Sequence, residues 1–445
     1  MAHLTTHISI CRPENAAWLR AELSRAGLSK AQQFKAQQSK AQQPKVQQSR
    51  SGEGAGLSSE HILEKEGPCW ISWPMEFLPN RFDHRKMALV FEQQRLAHAR
   101  FFPGKDAVEL ARLIARTLLP TTGSGSGGQD AGPDIHVIGC DRQGRPTTGG
   151  RAEAFHKTLS QHLGKPSSNP PFHRLNAEIS VDKAALPDRV LQCLLTPDGV
   201  WGAVMPQGEL VSPFPGGISD LRLPEQAPSR SYLKIAEALR VSGWRPRARE
   251  TVVDLGAAPG GWSYAFLQQG CRVLAVDNGP MKIPGLDELP GQLTHLREDG
   301  LRFTPPAVNL PVDWLLSDML VSPGVCLGLL KKWIGRGWMR RFVVNMKIPQ
   351  KEPISALQPM QDFLEGISGL SWRIRQLYHD RREVTLLGAF HSPPTPTHLS
   401  EKAHPERAKP AKGNIRIKTG RKAAPGTRKK QGPKKHGRET PRRSR

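Results

Sequence analysis

The chain has 445 residues, 64 Lys/Arg against 40 Asp/Glu, a net charge of +24, and only 37% hydrophobic residues. That length holds two or three domains with a sizeable core, and the low apolar share leaves part of it outside any core. No apolar run reaches membrane-spanning length and no basic-then-apolar leader pattern stands at the N-terminus, so a cytoplasmic protein without membrane contact is expected, with a polyanionic partner, most simply nucleic acid.

His7 to Cys11 reads as a strand, and Asn15 to Ala26 as a helix with apolar residues at Ala16, Leu19, Leu23 and Ala26. Lys30 to Ser49 repeats Lys-Ala/Val-Gln-Gln-x, a period of five that suits neither helix nor strand. With Arg50 to Ser59 it reads as a flexible cationic insertion. Order returns at Pro68-Cys69-Trp70-Ile71-Ser72-Trp73, and Ala107 to Leu119 is amphipathic at helical spacing. The Gly/Ser/Thr-rich stretch Thr121 to Pro133 marks a boundary. A small α+β unit follows: strand Asp134 to Gly139, helix Ala152 to Leu163, and a hairpin of Arg189 to Leu195 and Gly199 to Met205 around Pro197-Asp198-Gly199. From Val252 to Phe390 strands and helices alternate, the pattern of a mostly parallel sheet covered on both faces. Residues 401–445 hold 17 Lys/Arg against 3 Asp/Glu. They read as a disordered basic tail that meets phosphates rather than bases.

The six cysteines, Cys11, Cys69, Cys140, Cys193, Cys271 and Cys326, form no Cys-x-x-Cys pair. The spacing predicts neither a metal site nor a disulfide framework.

The chain is organised around Val252-Val253-Asp254-Leu255-Gly256-Ala257-Ala258-Pro259-Gly260-Gly261-Trp262. A short β-branched run ends in an aspartate, a Gly-rich turn follows, and Trp262 to Leu267 continues as a helix. Glycines there permit close backbone approach, and a helix start offers free N–H groups. The Gly-x-x-x-Gly-Gly spacing misses the dinucleotide fingerprint, which disfavours an NAD(P)-dependent oxidoreductase, and no Gly-Lys-Ser/Thr phosphate loop is present. Arg272 to Val276 is a second strand, ending before Asp277, 23 positions after Asp254. A carboxylate there accepts hydrogen bonds from ribose hydroxyls, or simply caps the following turn. Leu293 to Arg297 leads to Asp299, Trp314 to Ser317 to Asp318, and Phe342 to Met346 to Lys347. Ligands of open αβ sheets bind beyond the carboxyl ends of the strands, so Asp254, Asp277, Asp299, Asp318 and Lys347 are expected on one edge. Trp372 to Leu377 and Val384 to Phe390 form a hairpin whose return brings Glu383 to that edge. Taken alone, a lysine buried between Asp and Glu there reads as a structural ion pair.

Asp-x-Gly-x-x-Pro-Gly-Gly resembles motif I of S-adenosylmethionine-dependent ribose methyltransferases. Four further stretches, Ala227 to Ala238, Val276 to Met281, Arg297 to Gly300 and Leu377 to Thr385, make residues 213–390 similar to the M family of bacterial 23S rRNA cytidine 2′-O-ribose methyltransferases. The catalytic part of that family is in turn similar to the heat-shock ribose methyltransferases, which use a Lys-Asp-Lys-Glu tetrad. The resemblance implies a Rossmann-like methyltransferase domain at 225–398. A ferredoxin-like domain at 1–120, interrupted at about 28–60, and a THUMP-like RNA-binding domain at 133–224 would precede it, and the basic tail at 399–445 would follow. It also implies catalytic Lys234, Asp318, Lys347 and Glu383. Contacts to S-adenosylmethionine would come from Ser231, Ala258, Pro259, Gly260, Gly261, Asp277, Asp299 and Asp318. The implied partner is 23S rRNA, no metal is needed, and the oligomeric state is left open.

The chemistry agrees with those residue types. The sulfonium methyl is already electrophilic, so the protein must aim a ribose hydroxyl at it and take the proton. Lys347 is expected as that base, Lys234 as the positive charge that orients the hydroxyl, and Asp318 and Glu383 as the groups that position the two lysines. Two decoys lie outside this region. Asn169-Pro170-Pro171-Phe172 copies an amino-methyltransferase signature but precedes the turn, and Pro68-Cys69 copies a base-methylating nucleophile but reads as a buried thiol. The rival class is a non-catalytic rRNA-binding or assembly protein that keeps the fold; a pure binder has no need of a lysine at the end of strand five.

Overall fold

A computed structural model describes residues 6–25, 66–74, 89–119, 133–164, 188–307 and 310–392. The glutamine repeat, the segment Arg50 to Ser59, the Asn169 to Phe172 decoy, nearly all of Thr121 to Pro133 and the basic tail lie outside the described residues.

The first sheet has eight strands: β1 (Thr6–Ile10), β2 (Glu66–Gly67), β3 (Trp70–Pro74), β4 (Gln94–Pro103), β5 (Asp134–Cys140), β6 (Pro146–Thr147), β7 (Arg189–Thr196) and β8 (Gly199–Pro206). Their order is β2-β3-β1-β4-β8-β7-β5-β6. The pairing of β4 with β8 joins the N-terminal and middle segments into one sheet. Helices α2 (Ala107–Leu118) and α3 (Arg151–His162) cover one face through Leu110, Ile114, Phe155 and Leu159. Asp106 caps α2 by accepting from the Glu109 N–H at 2.7 Å. On the opposite face Ile8, Ile10, Trp70, Leu96 and Trp201 form a second layer.

One cysteine expectation is corrected here. Cys69 and Cys140 form a disulfide, while Cys193, Cys271 and Cys326 are free thiols and, like Cys11, buried. The partners are 71 residues apart, so local spacing carries no trace of them. The curled sheet brings them together, and its ends come so close that a Cβ on Gly144 would stand 2.6 Å from the Pro68 Cβ.

The second sheet has seven strands: β9 (Thr251–Leu255), β10 (Arg272–Val276), β11 (Gln292–Leu296), β12 (Val312–Ser317), β13 (Met339–Lys347), β14 (Leu370–Arg375) and β15 (Glu383–Phe390). Their order is β11-β10-β9-β12-β13-β15-β14, with only β15 antiparallel to its neighbours. The strand order reverses between β9 and β12, which opens a crevice at their carboxyl ends. Strand period sorts the side chains. Val252, Trp314, Leu316 and Val343 face α4 (Tyr232–Ser242) and α5 (Gly261–Leu267). Val253, Leu315, Phe342 and Val344 face α6 (Pro323–Gly335) and α7 (Pro353–Glu365). Leu19 and Leu23, on a helix over residues 16–25 (α1), together with Ile71 and Phe91, bury into that second layer. The N-terminal segment therefore shares a core with the αβ unit. Burying each such side chain is worth roughly 1.5–3 kcal/mol.

Candidate functional site

The carboxyl ends of β9, β10 and β11 are level, because Leu255 pairs with Val276 and Val276 with Leu296. Asp254 sits in the last turn of β9, 1% exposed. Its Oδ2 accepts from the Ser263 hydroxyl at 2.7 Å, and its Oδ1 has no hydrogen-bond partner among the described residues. Burial pushes this carboxyl up to about 7. The chain then turns through Gly256 at φ 74° and Gly260 at φ 116°, conformations that favour glycine, into α5 at Gly261. A Cβ on Gly256 would stand 2.4 Å from the Met319 side chain, so this turn lies directly against the segment after β12.

Gly261 serves a neighbour within the protein. A Cβ there would meet the hydroxyls of Ser229 and Ser231 at 2.4 Å each. Those two hydroxyls are 2.7 Å apart, and Trp262 donates its indole N–H to the Ser231 carbonyl at 3.0 Å. Ser231, just before α4, is thus locked onto Gly261 and Trp262.

Asp277 takes the capping role the sequence left open. Its Oδ2 accepts from the Ala258 N–H at 3.0 Å, and its Oδ1 from the Gly279 N–H at 2.6 Å. Each carboxylate oxygen keeps a further lone pair for a ligand. Asp299 is exposed beyond β11; it accepts from the Leu301 N–H at 2.9 Å and lies 3.6 Å from Arg302. With Ala258 and Pro259, these residues form the half of the site on the β9–β10–β11 side.

The other half is a row of polar side chains. Lys234, in the first turn of α4, stands 3.2 Å from Asp318 Oδ1, just past β12. Asn345 of β13 donates to the same oxygen at 3.0 Å. Thr385 of β15 donates to Asn345 Oδ1 at 2.5 Å and lies 2.9 Å from Asp380 Oδ2. Burial raises the Asp318 carboxyl, while Lys234 and the Asn345 amide oppose that rise. Lys347 pairs in register with Glu383 across β13 and β15. Its side chain is exposed and makes no hydrogen bond or ion pair among the described residues. Glu383 instead accepts from the N–H groups of Arg381 and Arg382 at 2.8 and 3.1 Å. The tetrad therefore divides into an ion pair, Lys234 with Asp318, and a backbone pair, Lys347 with Glu383. Exposure removes the structural-ion-pair reading of Lys347.

The loop before Glu383 is gripped from three sides. Glu237, one turn beyond Lys234, accepts from the N–H groups of Tyr378 and His379 at 2.7 and 3.0 Å. Burial pushes Glu237 up to about 8 against those two bonds. Arg12 reaches over from the N-terminal segment to the carbonyls of Asp380 at 2.6 Å, Leu377 at 3.1 Å and Tyr378. Arg375 holds the carbonyls of Val211, Glu92 at 3.1 Å and Gln93 at 3.4 Å. His379, half-buried beside Arg12 and Arg230, is pushed down to about 4 by desolvation first and by those cations second.

Sequence reasoning passed over Asn345, Thr385, Asp380, Glu237 and Arg12 as parts of the site. Asn345 had a signal: it is a lone polar residue inside the apolar strand Phe342 to Met346, two positions before Lys347 and so on the same face. The others become visible only through the packing of α4 and the N-terminal segment against the loop.

Comparison with known proteins agrees with this geometry. Residues 227–329 match the FtsJ-like methyltransferase family. The chain is 43% identical over 209 residues to the ribosomal RNA large subunit methyltransferase M of Laribacter hongkongensis, covering 44% of this chain and 55% of that one. It is 43% identical over 187 residues to the protein of the same name from Alkalilimnicola ehrlichii, covering 39% and 49%. Solved structures superpose poorly; the plantazolicin methyltransferase BpumL in complex with SAH has a TM-score of 0.25 at 9% identity over 32% of this chain and 76% of that one. The chain spans about half the length of the curated relatives it matches. The FtsJ-like match begins before Ser231 and Lys234 and ends beyond Asp318, so the switch-point turn and the Lys234–Asp318 pair both fall inside it.

Proposed function

We propose that this protein is an S-adenosylmethionine-dependent methyltransferase that modifies the ribose 2′ oxygen of a cytidine in 23S rRNA. The observation that carries the reading is the Lys234–Asp318 ion pair, held beside the switch-point turn on the edge that also ends in Lys347 and Glu383. The residues present suit an adenosine ligand: Asp277 keeps free lone pairs at the strand end where ribose hydroxyls bind, and the unpartnered Asp254 Oδ1 leaves an acceptor unused under the turn. Ser231, Ala258 to Gly261, Asp277, Asp299 and Asp318 would hold the ligand, which supplies an electrophilic methyl group when bound.

Lys347 then takes the proton from the 2′ hydroxyl. Its exposure leaves it open to an RNA ribose. General-base help of this kind is worth roughly 10²–10⁴-fold. Lys234 supplies positive charge toward the hydroxyl, Asp318 fixes Lys234, and Glu383 fixes the loop that flanks Lys347. The sheet β1–β8, with 1–120 and 133–224 read as ferredoxin-like and THUMP-like domains, guides the RNA, and residues 401–445 add phosphate contacts in the cytoplasm. The test is methyl transfer from labelled S-adenosylmethionine to unmodified large-subunit rRNA, with nucleoside analysis of the product. A 2′-O-methylcytidine supports the reading; a methylated base or no transfer overturns it.

A further inference from the structure

Lys234, Asp318, Asn345, Thr385 and Asp380 form one unbroken row of polar contacts. Counting protons along the row fixes its direction. Asp318, paired with a lysine, is an acceptor. Asn345 must therefore present its NH₂ to Asp318, which leaves its carbonyl oxygen facing Thr385. Thr385 has one hydroxyl proton and spends it on that carbonyl at 2.5 Å. Toward Asp380 Oδ2, 2.9 Å away, the hydroxyl then offers only lone pairs. An ionised carboxylate offers only lone pairs as well. Two acceptors facing each other in a buried site repel unless one of them brings a proton.

We propose that Asp380 is held as a neutral carboxylic acid whose proton starts a one-way chain through Thr385 and Asn345 to Asp318, and that this chain aims Asp318 at Lys234. Asp380, Thr385 and Asn345 are then positioning residues for the methyl transfer proposed above, and their role rests on that reading. The surroundings favour the neutral acid. Asp380 is 1% exposed, and its Oδ1 has no partner. Lys234 and the buried Glu237 face it from α4, and Glu383 from β15; Arg12 binds the carbonyl of the same residue rather than its carboxyl. Burial is the largest cause and outweighs the Leu377 N–H, which donates to Oδ2 at 2.9 Å, and Lys234, while Glu383 adds to the rise, so the group is pushed up to about 7.

The experiment compares the full-length wild type with Thr385→Val, Thr385→Ser, Asp380→Asn and Asp380→Leu. Thr385→Val breaks the chain and is expected to lower kcat about 100-fold with both KM values nearly unchanged, the scale of a misplaced catalytic group. Thr385→Ser restores the hydroxyl and recovers kcat. Asp380→Asn brings an N–H donor toward Thr385 at every pH but, like Asp380→Leu, takes away the Oδ2 acceptor of the Leu377 N–H at 2.9 Å, so it is expected to keep more of kcat than Asp380→Leu and to lose the high-pH fall expected of the wild type near pH 7. Asp380→Leu has no donor and falls with Thr385→Val. Infrared spectra of protein carrying isotope-labelled aspartate give a readout that needs no turnover. Below about pH 7 the wild type shows a neutral-acid carbonyl band that is missing from Asp380→Asn. If Asp380→Asn loses as much activity as Asp380→Leu, or if the two infrared spectra do not differ, the proposal is overturned. If the wild type transfers no methyl group but the band is present, the chain of protons stands and the methyltransferase reading falls. Should Asp380→Asn fail to fold, the Thr385 pair decides: loss in Val without recovery in Ser also overturns the chain.

Discussion

Arg12→Ala should loosen the loop that leads to Glu383, although Arg12 belongs to the N-terminal segment. The guanidinium donates to three backbone carbonyls, those of Leu377, Tyr378 and Asp380. A hydrogen bond from a charged donor contributes roughly 1.5–3 kcal/mol. The Tyr378 carbonyl is exposed and regains water, and the other two bonds are only part-buried and partly screened, so the three together are worth about 2–4 kcal/mol of local stability. At 1.4 kcal/mol per factor of ten, this makes opening of the loop about 30- to 700-fold more frequent. The natural reporters are the N–H groups of Tyr378 and His379, which are bonded to the buried Glu237 carboxyl. Hydrogen exchange read by mass spectrometry or NMR should show them accelerate by that factor, while amides in β9 and β12 keep wild-type rates. Methyl transfer should fall with no matching loss in cofactor affinity, because none of the three carbonyls lies at the turn. Wild-type exchange at 378 and 379 would refute the view that Arg12 holds the loop.

Cofactor binding should respond to both halves of the turn. Asp277→Ala removes the acceptor of the Ala258 and Gly279 N–H groups, and Gly261→Val drives a side chain against Ser229 and Ser231; calorimetry should show weaker S-adenosylmethionine binding in each. Binding of NAD(P) in place of S-adenosylmethionine by the wild type would contradict the ligand assignment. Deleting residues 401–445, with 17 Lys/Arg against 3 Asp/Glu, should weaken RNA binding and flatten its salt dependence; an unchanged salt slope would show that the tail makes no phosphate contacts. Four buried carboxyls, Glu22, Asp254 and Asp380 near 7 and Glu237 near 8, are raised above their ordinary values. A raised acid contributes stability that is present below its unfolded value and lost as pH rises to its folded value. His136 and His379, lowered to about 4, act in the opposite sense only below about 6.5. The melting temperature should therefore fall between about pH 6.5 and 8, and a melting temperature that rises across that window would count against these environments.

The αβ unit was legible because its signals are local. A β-branched run, a Gly-rich turn and a helix recur in order from Val252, and the parallel topology carries the ends that precede Asp277, Asp299 and Asp318 to one edge. The arrival of Glu383 at that edge followed from the hairpin of β14 and β15, whereas its register opposite Lys347 comes from the β13–β15 pairing, which the sequence did not show. The ten-residue strand β4 was not legible. It carries His98 at φ 54° and a register shift against β1 that break the alternation a strand would show. The Cys69–Cys140 bond and the Arg12 clamp were equally hidden. Each joins groups far apart in the chain through tertiary packing, which neither periodicity nor spacing records. Asp277 shows the limit in a milder form, since its carboxylate both caps its turn and faces the ligand edge, and sequence alone treats those as alternatives.

The central claim is that Lys347 takes the proton of a ribose hydroxyl, and Lys347→Ala tests it most directly. The side chain is exposed and unpaired among the described residues, so its removal leaves the Lys234–Asp318 pair and the turn intact. Single-turnover methyl transfer to large-subunit rRNA should drop by roughly 10²–10⁴-fold while S-adenosylmethionine affinity stays within a few-fold of wild type. Lys347→Arg should not restore it, because a guanidinium stays protonated and cannot accept the proton. The wild-type product should resist alkaline cleavage at the modified nucleotide, since cleavage needs the free 2′ hydroxyl. Full activity in Lys347→Ala would contradict the base assignment, and a product that alkali still cleaves at that nucleotide would contradict ribose methylation itself.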